Sequence, residues 1–293
     1  MPPPAPRYFA PDFPVITDER SGAPIGGFGG IHAGGPLHHT PVIFVHGNQA
    51  DAQNWLDVMA QFKSIGGYTD QEMYALSYNG LGNYYAGAPV ASAPSGLDAA
   101  YLESNPNALA NGGHGSANDD EVPDLCRFIE AVQAYTGSKQ VDIVAHSLGV
   151  TITRETMRLY PSLAKDVVAF VGIAGGNHGT TICRGLQTEY YGCNEIVPGS
   201  AWLATLNGRN GSRETYPPTK WMTIYDGHEG DPYFTGPDAS SPHLLGADNV
   251  TFPGAYHNDL RVDAAEVSIY LRFLLRNGQA GPGASPTGNR FAQ

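Results

Sequence analysis

Three apolar runs limit what this chain can fold into: "PVIFVHG" (41–47), "VDIVAHS" (141–147) and "VVAFVGIAGG" (167–176). A strand with one wet face alternates apolar and polar residues. A nearly unbroken apolar, β-branched run is instead buried on both faces, as in a parallel sheet sandwiched between helices. Helical patterns separate these runs. "NWLDVMAQFKSIG" ends at Gly66, and "DDEVPDLCRFIEAVQAYTG" has acids in its first turn and Gly137 just past its end. "LGVTITRETMRLY" and "DAAEVSIYLRFLLRNG" read as two more helices, and "EMYALSYNG", "KWMTIYDG" and "NVTFPGA" as further strands. The alternation predicts an α/β fold, with a mostly parallel central sheet and helices on both faces.

The 293 residues fit one large α/β domain. Residues 1–30, rich in Pro and Gly, read as an extended N-terminal arm, and 278–293 as a flexible tail or trimmed linker. Two stretches, 80–118 and 177–215, read as long loop insertions. The formal net charge of −12 and the lack of any Lys/Arg run argue against a nucleic-acid partner. No apolar run reaches transmembrane length. "CRGLQTEYYGC" is a polar, Gly-containing loop that a Cys183–Cys193 disulfide would close, whereas Cys126 lies among helix-spaced apolar residues and reads as a buried free thiol. Only 15% of residues are charged, and together with the disulfide this points to an extracellular protein. The opening "MPPPAPRYFAPDFP" has no apolar leader core, so a removed signal peptide and a supplied start Met are expected. A monomer is expected.

In such a sheet, ligands bind beyond the carboxyl ends of the strands. Ser147 stands there, after a buried strand and before a helix, flanked by the small residues Ala145 and Gly149. This is the context of a nucleophile elbow, where a tight turn tolerates only small neighbours. The competing reading of Ser147 is a plain helix N-cap. A serine nucleophile needs a base that is itself oriented by an acid. Of the histidines after Ser147, His257 alone lies between the last strand and the final helix, while His243 reads as a surface loop residue. "IYDGHEGDPYF" offers Asp231 as the acid, deep in its loop ahead of an apolar pair, and Asp226 as the alternative, close enough to the strand end to cap the turn instead. His228, Glu229 and Asp231 could suggest a metal, but they lack regular ligand spacing and a second cluster, so neither metal nor cofactor is expected. The oxyanion of acyl transfer would be met by the backbone N–H groups of Leu148 and Asn48. Within "HGN", His46 reads as a structural hydrogen-bonder.

These residues carry a resemblance. "PVIFVHGN" followed by "AHSLG" resembles the bacterial class 2 lipases of the α/β-hydrolase fold, and "GGFGG", "AYTG", "QVDIVAHSLGV" and "AGG" resemble more narrowly the lipase-like extracellular poly(3-hydroxybutyrate) depolymerases. The likeness spans roughly 26–60, 119–180 and 220–275. It implies a secreted, cofactor-free carboxylic ester hydrolase with Ser147, Asp231 and His257 as triad and Asn48 and Leu148 as oxyanion hole. One extra residue in the acid loop keeps Asp226 open. A lipase or esterase is the leading reading and a polyester depolymerase the alternative. An amidase or a non-catalytic binding module on the same fold follows at a distance. Tyr84, Tyr85, Tyr101, Tyr190, Tyr191 and Trp202, in the two insertions, either pack those loops on the core or form a rim that grips an insoluble ester chain.

Overall fold

The structure is a computed structural model in which residues 7–17, 24–30, 36–48, 50–77, 117–187 and 192–278 are described. Among the described residues eight strands form one sheet: β1 Arg7–Phe9, β2 Gly26–Gly29, β3 Val42–Val45, β4 Met73–Ser77, β5 Val141–His146, β6 Val167–Ile173, β7 Lys220–Tyr225 and β8 Asp248–Thr251. Their order is β1-β2-β4-β3-β5-β6-β7-β8. Neighbours from β4 to β8 are parallel, and β2 runs antiparallel to β4. The helices are α1 Leu56–Gln61, α2 Ala117–Thr136, α3 Leu148–Leu159, α4 Pro161–Ala164, α5 Gly192–Ile196, α6 Ala201–Asn207, α7 Asp259–Val262 and α8 Ala264–Asn277.

The unbroken apolar runs do what their composition requires. Successive residues of β3 divide between two cores: Ile43 and Val45 join one, Val42 and Phe44 the other. The first core packs under α2 and α3 through Leu125, Phe128, Ile129, Val150 and Ile152. The second packs against Trp55, Val58 and Phe62 and against Val267, Tyr270 and Leu271 of α8. Each strand therefore needs apolar residues at odd and even positions alike. Asp142 interrupts the pattern in β5. Its carboxylate accepts from the Ala169 N–H at 3.0 Å, where the β5–β6 register shifts, and burial pushes its pKa well above the usual carboxylate range.

The Pro- and Gly-rich N-terminal stretch contributes β1 and β2, which extend the sheet beyond β4. Aromatic packing holds it: Phe9 stacks on Phe13 at 4.6 Å, and Phe13 lies 5.7 Å from Tyr74 of β4. Most of the expected 80–118 loop lies outside the described residues. Among the described residues, no helix is long and apolar enough to cross a membrane.

Phe44 is fully buried, with Trp55 and Phe62 ring centroids at 5.1 and 5.2 Å. Phe44→Ala should destabilise the fold by about 3–5 kcal/mol, through lost burial and an unfilled cavity. Urea unfolding should show a lower midpoint at unchanged slope.

Candidate active site

Ser147 occupies φ 54°, ψ −125°, a backbone conformation that L-residues rarely adopt and that costs on the order of 1–3 kcal/mol. It stands between β5 and α3, and its N–H donates to Ile173 O at 2.8 Å. Although it is the N-cap residue, its side chain makes no capping hydrogen bond. The turn demands small neighbours, and geometry shows why. A Cβ on Gly149 would lie 2.4 Å from His46 O, and one on Gly47 would lie 2.7 Å from the Ser147 Cβ. Glycine at both positions lets the β3 and β5 loop backbones close on each other.

His257 lies in the loop between β8 and α7, is buried, and donates its Nδ1–H to Asp231 Oδ2 at 2.7 Å. That bond leaves Nε2 as the imidazole's acceptor. The other oxygen of Asp231, itself 1% exposed, accepts from the Tyr233 N–H at 2.9 Å. The Tyr233 ring packs against the imidazole at 4.6 Å and Phe234 at 6.0 Å.

Asp226 does different work. Its Oδ2 accepts from the N–H groups of His228 at 2.9 Å, Gly230 at 2.8 Å and Asp231 at 3.4 Å, and its Oδ1 accepts from the Gly254 N–H. The carboxylate thus ties the loop carrying Asp231 to the loop carrying His257. Burial alone would raise its pKa, but these four donors outweigh it and hold the group below the usual range. His228 and Glu229 are exposed on the same loop. His243 is half-buried in a turn, with its N–H on Ser240 O.

Ser147, Leu148, Asn48 and His257 line one cleft of about 490 Å³. The Leu148 N–H opens α3 at its positive end. His46, in the loop that leads to Asn48, donates Nδ1–H to Gly47 O at 2.8 Å, and burial lowers its pKa to about 4. Cys183 and Cys193 form a disulfide that lines the cleft, together with Thr180, Ile182, Leu186 and Ile196. Cys126 is a buried free thiol whose pKa burial raises to about 11. Of the two readings of Trp202, packing holds: it is 2% exposed and packs with Leu203 and Leu206 of α6, because its helix buries that stripe. Tyr84, Tyr85, Tyr101, Tyr190 and Tyr191 lie outside the described residues.

Sequence reasoning missed the cleft's apolar wall. "DPYF" signals part of it, since Tyr233 and Phe234 follow the acid directly. Ile182 and Ile196 carry no local signal, because the disulfide loop and its neighbours bring them together. Thr180 fastens this wall to the acid loop, its Oγ1 donating to Tyr233 O at 2.7 Å.

A strained serine between a buried strand and a helix, above a parallel sheet, with a His–Asp pair on later loops, defines an α/β hydrolase. The profile of the class 2 lipases matches residues 39–86 and 105–226, more than half of the sequence, and the chain belongs to that family. The matched span includes Ser147 and stops before Asp231 and His257. Solved structures with the same fold include lipase B of Aspergillus fumigatus (17% identity, TM-score 0.53, 84% of this chain and 54% of that one). The Bacillus licheniformis lipase BlEst2 is similar in its propeptide form (13%, 0.55, 87% and 55%) and its mature form (13%, 0.53, 85% and 97%). The chain spans about half the length of the first two. Comparison with curated proteins gives no match.

The depressed pKa of Asp226 makes a sign-definite prediction. A group whose folded pKa lies below its unfolded value adds stability above the unfolded pKa, near 4, and that stability is lost as pH falls through the folded value. Asp226→Asn should therefore lower stability at pH 7 by roughly 1–3 kcal/mol, since one amide cannot serve four N–H donors. The gap to the parent should narrow in melts recorded below about pH 4.

Proposed function

We propose that the chain is a secreted serine hydrolase of carboxylic esters, a lipase or esterase, with Ser147 as nucleophile, His257 as base and Asp231 as the acid that orients it. The observation that carries this reading is the buried 2.7 Å His257–Asp231 hydrogen bond beside a strained serine in one cleft. With Nδ1–H committed to Asp231, His257 Nε2 accepts the Ser147 proton as Oγ attacks the ester carbonyl. The carbonyl oxygen takes the negative charge and is met by the N–H groups of Asn48 and Leu148. Collapse breaks the bond to the alcohol oxygen, which leaves with the proton from Nε2, and the acyl group stays on Ser147. Water then attacks the acyl carbon as His257 takes its proton; the bond from the acyl carbon to Ser147 Oγ breaks, Nε2 returns the proton to Oγ, and the carboxylic acid leaves. Asp231 keeps the imidazole oriented and stabilises the imidazolium that forms twice.

The disulfide supports an extracellular setting. The substrate is an apolar ester: Ile182 and Tyr233 line the cleft while 44% and 48% exposed, offering contact to a chain held at the surface. That open, apolar wall also favours a second reading, in which the ester is an extracellular polyester of the polyhydroxyalkanoate type.

Ser147→Ala should lower turnover of p-nitrophenyl butyrate by about six orders of magnitude. Asp231→Asn should lower it by about four, through the wrong imidazole tautomer. An active Ser147→Ala protein contradicts the reading, and a larger loss for Asp226→Asn than for Asp231→Asn moves the acid to Asp226. Titrating acid release from tributyrin, triolein and amorphous polyhydroxybutyrate assigns the substrate. The lipid reading predicts faster release from the glycerides, and the reverse order supports the polyester reading.

A further inference from the structure

Nucleophile and base come from separate parts of the sheet. Ser147 follows β5 and His257 follows β8, with β6 and β7 between them. The ties described so far hold each residue on its own side. Ile173 O holds the Ser147 N–H, Asp231 holds the imidazole of His257, and Asp226 holds the loop at Gly254. None of these bonds sets the distance from His257 to Ser147.

His146 spans that gap. It is the last residue of β5, is covalently joined to Ser147, and is 5% exposed. Its Nε2–H donates to the main-chain O of His257 at 3.1 Å, and the two rings lie 4.6 Å apart at 49°. A carbonyl can only accept, so the proton sits on Nε2 and the tautomer is fixed. We propose that His146 is a positioning residue, whose bond to the His257 carbonyl and ring packing set the base against the nucleophile. This inference rests on the functional reading above.

The residue type fits the task. The linking donor is buried beside a group that becomes a cation during the reaction. Three titratable groups face it: His257 from the loop after β8, Arg261 from α7 and His46 from the loop after β3. Burial first, then the nearby His257 and Arg261, pushes the pKa of His146 well below the ordinary histidine range. A lysine there would add a charge opposing the His257 imidazolium. Glutamine could offer a neutral N–H at similar reach, whereas leucine fills space without a donor and asparagine is too short.

The test compares His146→Leu, His146→Asn and His146→Gln with the parent, using p-nitrophenyl butyrate and circular dichroism as the folding control. A misplacement of about 1 Å at a reacting centre costs on the order of 10²-fold. His146→Leu and His146→Asn should therefore lose about 10- to 100-fold in kcat, with KM changed by less than about threefold. His146→Gln should recover to within about fivefold of the parent. Should His146→Leu fail to fold, the Asn–Gln contrast carries the test. Parent-like kcat in Leu and Asn, or a Gln variant as impaired as they are, overturns the proposal, since the donor is then irrelevant. A crystal structure of His146→Asn gives a readout apart from turnover. Displacement of the His257 backbone away from Ser147 supports the proposal, and an unmoved His257 overturns it. A parent that hydrolyses no ester instead brings down the functional reading, and the crystallographic comparison still decides the role of His146.

Discussion

The site depends on one residue's backbone. Ser147 at φ 54° is held against its own preference, and a conformation costing on the order of 1–3 kcal/mol persists only where its surroundings fix it. Here they do so from three sides. Below lies β5, buried throughout and paired on both edges. Ahead lies α3, whose residues from Leu148 to Met157 are all buried. Beside it lies the β3 loop, so close that Gly47 and Gly149 have room for no Cβ. The strain leaves the hydroxyl in a cleft, free of capping duty, next to the N-terminus of a helix.

The two aspartates of the acid loop show how environment divides roles between like groups. Asp226, at the strand end, meets four backbone donors and becomes a fastening between loops. Asp231, five residues on, has its Oδ2 on the imidazole of His257. The fastening helps fix the geometry of the second pair, since Asp226 also accepts from the Asp231 N–H. Rings then shield the result: Tyr233 and Phe234 pack on His257 from one wall, and His146 from the sheet.

Much of this was legible in the sequence because the signals are local. Buried parallel strands require unbroken apolar runs, and the elbow requires small residues on either side of Ser147. Chain order singles out His257 as the histidine between the last strand and the last helix. The choice between Asp226 and Asp231 stayed open, because it turns on which carboxylate meets main-chain donors, and main-chain donors leave no mark in a sequence. Two strands hid in the Pro- and Gly-rich N-terminal stretch, where Phe9 and Phe13 rather than strand propensity fasten the chain to β4. For Trp202 the sequence left packing and a surface rim both open, because the short helix that turns it into a small core is hidden in an apparent loop. His146 sits at the variable position of the elbow pattern, and only the return of the chain from β8 gives it a partner.

If the fold holds Ser147 as an activated nucleophile, brief treatment of the native protein with a fluorophosphonate, followed by peptide mass spectrometry, should give one adduct per chain, on the Ser147 hydroxyl. The adduct should be absent when the protein is unfolded in urea before treatment. No adduct on the folded protein, or an adduct on another serine with Ser147 unmodified, would contradict it.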